Sequence, residues 1–125
     1  MTRLTRYAAI AALALLAALS GVFARPTRAQ SREDVIVMVN VAADRHHVDP
    51  DALGRVLACE SSWRADVTGP DGSMGIAQWQ LVTWEWASVA AGWSGSSPYD
   101  AEAAIDVMAW LVSRGGWAHW RACGG

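Results

Sequence analysis

The sequence predicts a mainly helical fold: one small domain with a turn-rich loop or short hairpin beside its second helix, closed by one disulfide. Two observations carry the helical part. Helix-start chemistry stands at Ser31 and at Asp49-Pro50; a long apolar run follows the first, and apolar residues recur at helical spacing after the second. A third places the loop, because Gly69, Pro70, Asp71, Gly72 and Gly75 crowd into one stretch that no helix tolerates.

Residues 1–29 read as an export signal and are set apart from the fold. Arg3 and Arg6 supply a positive start, Tyr7 to Ala24 is apolar without a charge, and small residues at Thr27 and Ala29 or at Val22 and Ala24 offer cleavage sites, with Ala29 the preferred end. The competing reading is an uncleaved anchor, since the apolar stretch reaches the lower edge of a spanning length. Residues 30–125 then form one domain, near the size at which a core benefits from an added restraint.

Within that domain Ser31, followed three residues later by Asp34, resembles a capping box, and Val35 to His47 then runs apolar enough for a buried helix or a strand; its length favours the helix, its Val content the strand. Asp49 caps a second helix over about 51–62, with Pro50 at its first position. Residues 64–76 are the loop. Gln78 to about Ala91 is helical in pattern, 92–98 is a Gly/Ser linker, and Asp100 to Arg114 reads as a last amphipathic helix ended by Gly115 and Gly116.

Charge and cysteine content narrow the function classes. Four of the ten Arg precede residue 30 whereas all twelve carboxylates follow it, so residues 30–125 carry six Arg, no Lys and a formal charge of −6. Such a chain is not a nucleic-acid binder. Cys59 and Cys123, an even count in an exported chain, point to one disulfide. In the chain-entropy model a loop of that length contributes roughly 4 kcal/mol.

One carboxylate stands out. Leu53, Val56, Leu57 and Glu60 fall at i, i+3, i+4 and i+7, which puts Glu60 on the apolar face at the end of the second helix. Burial there raises the cost of ionisation, and a raised pKa is what a general acid at neutral pH requires. The bland alternative is a helix-end Glu turned to water or paired with Arg64. Eight Trp, at 63, 79, 84, 86, 93, 110, 117 and 120, supply core volume and flat faces for sugar rings.

Other constellations are weaker. His46 and His47 are adjacent and point about 100° apart on a helix, and adding His119 gives no metal-ligand spacing. No metal or cofactor is therefore expected. Ser61, Ser62 and Ser73 lack a His partner that would make a nucleophile. Asp66 and Asp71 are turn residues by type, and are the candidates for the second acid that a hydrolytic glycosidase would need.

The stretch ACESSWRADVTGPDGSMGIAQWQLVTW resembles the core of the lytic transglycosylase (SLT) domain and of the related resuscitation-promoting factors. Those families place a catalytic Glu-Ser at a helix end, a Gly-rich loop, and a Gly-x-x-Gln that opens the next helix; Glu60, Ser61, Gly75 and Gln78 fill those positions at that spacing. Thr83 and Trp84 match a Thr-Trp pair of the resuscitation factors, and the tail GGWAHWRACGG is similar to their ending, in which the cysteine bonds to the one beside the catalytic Glu. HHVDPDALGRVLACES is closer to the transglycosylases. The resemblance covers about residues 35–124. It departs at Ala104 and Trp110, where transglycosylases carry an Asn and a Tyr that helps to orient the Glu, at Ser73, which replaces an aromatic, and before Cys123, where Arg121 and Ala122 replace a proline region.

The resemblance implies a lysozyme-like α+β fold and cleavage of the β-1,4 bond between N-acetylmuramic acid and N-acetylglucosamine in peptidoglycan. Glu60 acts first as acid and then as base, leaving a 1,6-anhydro end. Ser73, Gln78, Thr83 and Trp84 are the expected substrate-binding residues. The expected partner is the glycan strand, outside the cytoplasm, with the chain a monomer and the membrane touched only through an uncleaved leader. Two alternatives stand beside this: a hydrolytic muramidase using Asp66 or Asp71, and a wall-binding or signalling module without turnover.

Overall fold

A computed structural model describes residues 30–125; the proposed signal segment lies outside the described residues. Four α-helices and a 3-10 segment make up the domain: α1 Arg32–His46, α2 Pro50–Ser61, α3 Leu81–Ala90, α4 Ala101–Val112 and the 3-10 turns of Gly116–Cys123.

The helix starts follow local chemistry. Ser31 and Asp34 close a reciprocal capping box, with Asp34 N–H donating to Ser31 Oγ (3.1 Å) and Ser31 N–H to Asp34 Oδ2 (3.0 Å). Asp49 accepts from Asp51 N–H (2.9 Å) ahead of Pro50, and Asp100 accepts from Ala103 N–H (3.2 Å). His47 and Ser62 end α1 and α2 in left-handed conformations, with φ of 56° and 53°.

The axis of the fold is α4, on which α1, α3 and the 3-10 segment pack, while α2 packs against α1 and the 3-10 segment. Residues 103–109 of α4 are all buried, so this helix shows no solvent stripe over two turns. Leu53 and Leu57 of α2, Ile76 and Trp79 of the loop, and Ile105 and Met108 of α4 are the largest of the fully buried side chains. Trp79 meets Trp84 and Trp120 edge-on, with centroids 5.4 and 5.0 Å apart, and its N–H donates to the Ala104 carbonyl (3.2 Å). Cys59 and Cys123 form the disulfide, which is consistent with a chain that works outside the cytoplasm. No helix among the described residues is long and apolar enough to cross a membrane.

Two expectations are corrected. The short hairpin is reduced to two isolated antiparallel bridges, Thr68 with Met74 and Met74 with Trp79, and the described residues contain no strand. The third helix begins at Leu81, not Gln78, because Gln78 takes a φ of 52° and cannot enter a right-handed helix. After Gly115, where the sequence predicts no element, the tail winds into 3-10 turns over Gly116–Cys123.

Candidate active site

Glu60 sits in the last turn of α2, half-buried, on the face whose other members Leu53, Val56 and Leu57 are fully buried. The next residue fixes what faces it. Ser61 is buried, and its hydroxyl donates to the Ile76 carbonyl (2.7 Å), with the Leu57 carbonyl at 3.2 Å, so the helix end is tied to the far side of the glycine loop. Ser61 and Ser73 are therefore structural hydroxyls. Neither has a histidine partner in its hydrogen bonds.

The loop is largely bonded to itself. Gly69 N–H donates to Ser73 O (2.8 Å), Gly75 N–H to Val67 O (2.8 Å), and Met74 and Trp79 exchange both backbone bonds at 2.9 Å. Gln78 braces it from inside, its amide N donating to Gly75 O (2.9 Å) and Val67 O (3.3 Å). A β-carbon on Gly69 would lie 2.5 Å from the Gln78 amide oxygen, which accounts for glycine there. At Gly75 the backbone has φ of 74°, and a β-carbon would lie 2.1 Å from the Pro98 carbonyl. Gly75→Ala is expected to destabilise the domain by about 2–3 kcal/mol, read as a fall in the urea midpoint. A midpoint unchanged by the substitution would show that the loop opens freely at Pro98.

Electrostatics link Glu60 to Asp71 of the loop. Burial pushes the Glu60 carboxyl above its ordinary pKa, and the negative charge of Asp71 pushes it further. Asp71 is itself held below the usual carboxylate range by hydrogen bonds from the Ser73 hydroxyl and from Ser73 N–H (3.1 Å to Oδ1). A carboxyl that holds its proton more tightly than usual thus feels the charge of one that releases its proton more readily. Asp66 lines a different feature, a groove of about 980 Å³ shared with Trp63, Arg64, Tyr99 and Glu102.

The expected binding residues fare differently. Thr83 is partly exposed on the first turn of α3. Gln78 stands in the loop, but its amide is committed to loop carbonyls, so it shapes the site rather than capping a helix. Trp84 is only 4 % exposed and its indole N–H donates to Ser96 O (3.1 Å), so it packs in the core and offers no face for a sugar. Ser73 is likewise buried and serves Asp71. Trp110 is engaged by Trp86 (6.4 Å, edge-on) and by the Arg114 guanidinium (4.4 Å above its ring).

Several residues were not singled out by sequence. The Tyr99 hydroxyl bonds to the Thr68 hydroxyl and so reaches the loop from the linker before α4. Trp120 donates from its indole N–H to the Ala77 carbonyl (2.8 Å), anchoring the tail beneath the same loop. Asp106 is buried among Arg45, His46 and Trp93. Its signal was available: it is the only charge between Ala103 and Val112. His46 is taken up by that carboxylate, and His47 ends α1.

Comparisons with protein families, with characterised proteins and with solved structures return no match to this chain.

Proposed function

We propose that this chain is an extracytoplasmic lytic transglycosylase of lysozyme-like type, cutting the β-1,4 bond of peptidoglycan glycan strands with Glu60 as both acid and base. The observation that carries the reading is the half-buried Glu60 at a helix end, its pKa raised by burial and by Asp71, beside a self-bonded glycine loop. Protonated Glu60 gives its proton to the glycosidic oxygen as positive charge develops at C1. The resulting carboxylate then takes the proton of the C6 hydroxyl, whose oxygen closes on C1 to leave a 1,6-anhydro end. No water is consumed, and one protein carboxylate suffices. Mass spectrometry of the soluble fragments released from purified peptidoglycan tests this: anhydro-muropeptides are expected, and their absence removes the proposal.

A hydrolytic reading is favoured by one observation, the ionised Asp71 whose charge reaches Glu60. In that reading Asp71 orients a water and the fragments carry reducing ends. Asp71→Asn separates the two. Removing the negative neighbour makes Glu60 a stronger acid, so its proton is lost at lower pH and the alkaline limb of the activity profile shifts to lower pH. For the transglycosylase the anhydro product is unchanged and the rate at the new optimum stays within about tenfold, less than a general acid's contribution. For the hydrolase the rate collapses at every pH. Measured pH–rate profiles with product analysis decide between them.

A further inference from the structure

We infer that the Cys59–Cys123 bond is a redox gate on the Glu60 site, working through Trp120 and the Ala77 carbonyl. The inference rests on the proposed glycosidase reading for its effect on turnover, but its structural half does not.

Cys59 directly precedes Glu60 in the last turn of α2 and is exposed, so a solvent reductant can reach it. Its partner Cys123 closes the 3-10 segment Gly116–Cys123. That segment has little intrinsic stability, because eight residues of 3-10 geometry have poor hydrogen bonds and no long helix to extend. It buries one side chain, Trp120, which packs edge-on to Trp79 and donates to Ala77 O. Ala77 lies between Gly75 and Gln78, within the turn where Gln78 N–H donates to Gly75 O (3.1 Å) and the Gln78 amide holds the loop. The chain of contacts therefore runs from the disulfide to the tail, from Trp120 to the loop, and from the loop to the groups around Glu60. Ser61, on the other side of Glu60, reaches the neighbouring Ile76 carbonyl.

The chemistry is thiol–disulfide exchange. An external dithiol supplies two electrons; its thiolate attacks one sulfur, the Cys59–Cys123 bond breaks to two thiols, and the dithiol closes to its own disulfide. With the disulfide open, Trp120 keeps only its packing on Trp79 and its bond to Ala77 O, without the covalent restraint on the tail, and the lower anchor of the 75–79 turn is weakened. A chain kept reduced inside the cell carries a loose site, and one oxidised outside carries a formed one.

The test uses the purified protein in oxidised form, reduced with dithiothreitol, and reoxidised, together with Cys123→Ser and Trp120→Phe. Hydrogen exchange by mass spectrometry reads the loop, and release of muropeptides reads turnover. On reduction, and in Cys123→Ser, amides of residues 75–79 are expected to exchange at least tenfold faster while those of α4 stay protected, and cleavage is expected to fall at least tenfold, returning on reoxidation of the wild type. Trp120→Phe, which keeps the ring but lacks the indole N–H, is expected to loosen 75–79 with the disulfide intact. Unchanged exchange at 75–79 overturns the gate, as does faster exchange there with cleavage retained. Loss of protection throughout α4 overturns it too, because the bond then holds the whole fold rather than the site. Oxidised protein inert on peptidoglycan removes the proposed function instead, and the exchange data still decide the coupling.

Discussion

Glu60→Gln is expected to release no muropeptides above background, a loss of about 100- to 10,000-fold, the usual range of general acid–base help. The amide keeps the shape and half-burial of the side chain but can neither give a proton to the glycosidic oxygen nor take one from the C6 hydroxyl. The α-helical circular dichroism should be unchanged, because Ser61, not Glu60, ties the loop to α2, and Gln78 braces the loop from within. Stability offers a second readout with a definite sign. A carboxyl whose folded pKa lies above its ordinary 4.5 binds its proton more tightly in the folded chain. Folding is therefore favoured less as pH climbs from 4.5 through the raised value, and above that value a constant cost persists. The amide has no such cost. The variant should therefore melt higher than the wild type at neutral pH, and the difference should be absent below pH 4.5. Cleavage retained by Glu60→Gln would remove Glu60 from the mechanism, and a melting difference independent of pH would remove burial and Asp71 as the source of its raised pKa.

What was legible in the chain follows the range of the interactions involved. The starts of α1 and α2 were readable because Ser31–Asp34 and Asp49–Pro50 settle them within three residues. The disulfide was readable because only one pairing of two cysteines exists. The start of α3 was placed three residues early, since the left-handed turn at Gln78 depends on carbonyls of Val67 and Gly75 that composition does not reveal. Trp84 was expected beside the substrate, yet its indole meets Ser96 across the linker, a contact set by tertiary packing. Glu60 was visible from its apolar face, whereas the choice between Asp66 and Asp71 as its neighbour needed the folded loop. The 3-10 tail went unread because its form depends on Trp120 and Cys123 reaching Ala77 and Cys59, far away in sequence.

Asp106→Ala is expected to destabilise the domain by about 3 kcal/mol. The carboxylate is only 4 % exposed, and each oxygen has work to do: Oδ1 accepts from Arg45 Nη1 (3.0 Å) and meets His46 Nε2 (3.1 Å), while Oδ2 accepts from Trp93 Nε1 (2.8 Å). It thereby joins the end of α1, the turn after α3 and the middle of α4. Alanine leaves the Trp93 N–H and His46 without their acceptor and opens a small void where α1 packs on α4. The Arg45 contribution is small, because its side chain is 53 % exposed and returns to water when the partner goes. Arg45→Ala should accordingly cost under about 1 kcal/mol. Asp106→Asn keeps an acceptor for one partner and should fall between the two. For a domain of this size the alanine variant should melt about 10–20 °C lower, with cleavage by the folded fraction unchanged at low temperature. A loss equal to that of Arg45→Ala would mean that His46 and Trp93 find water instead, and that the buried carboxylate does not hold α1 to α4.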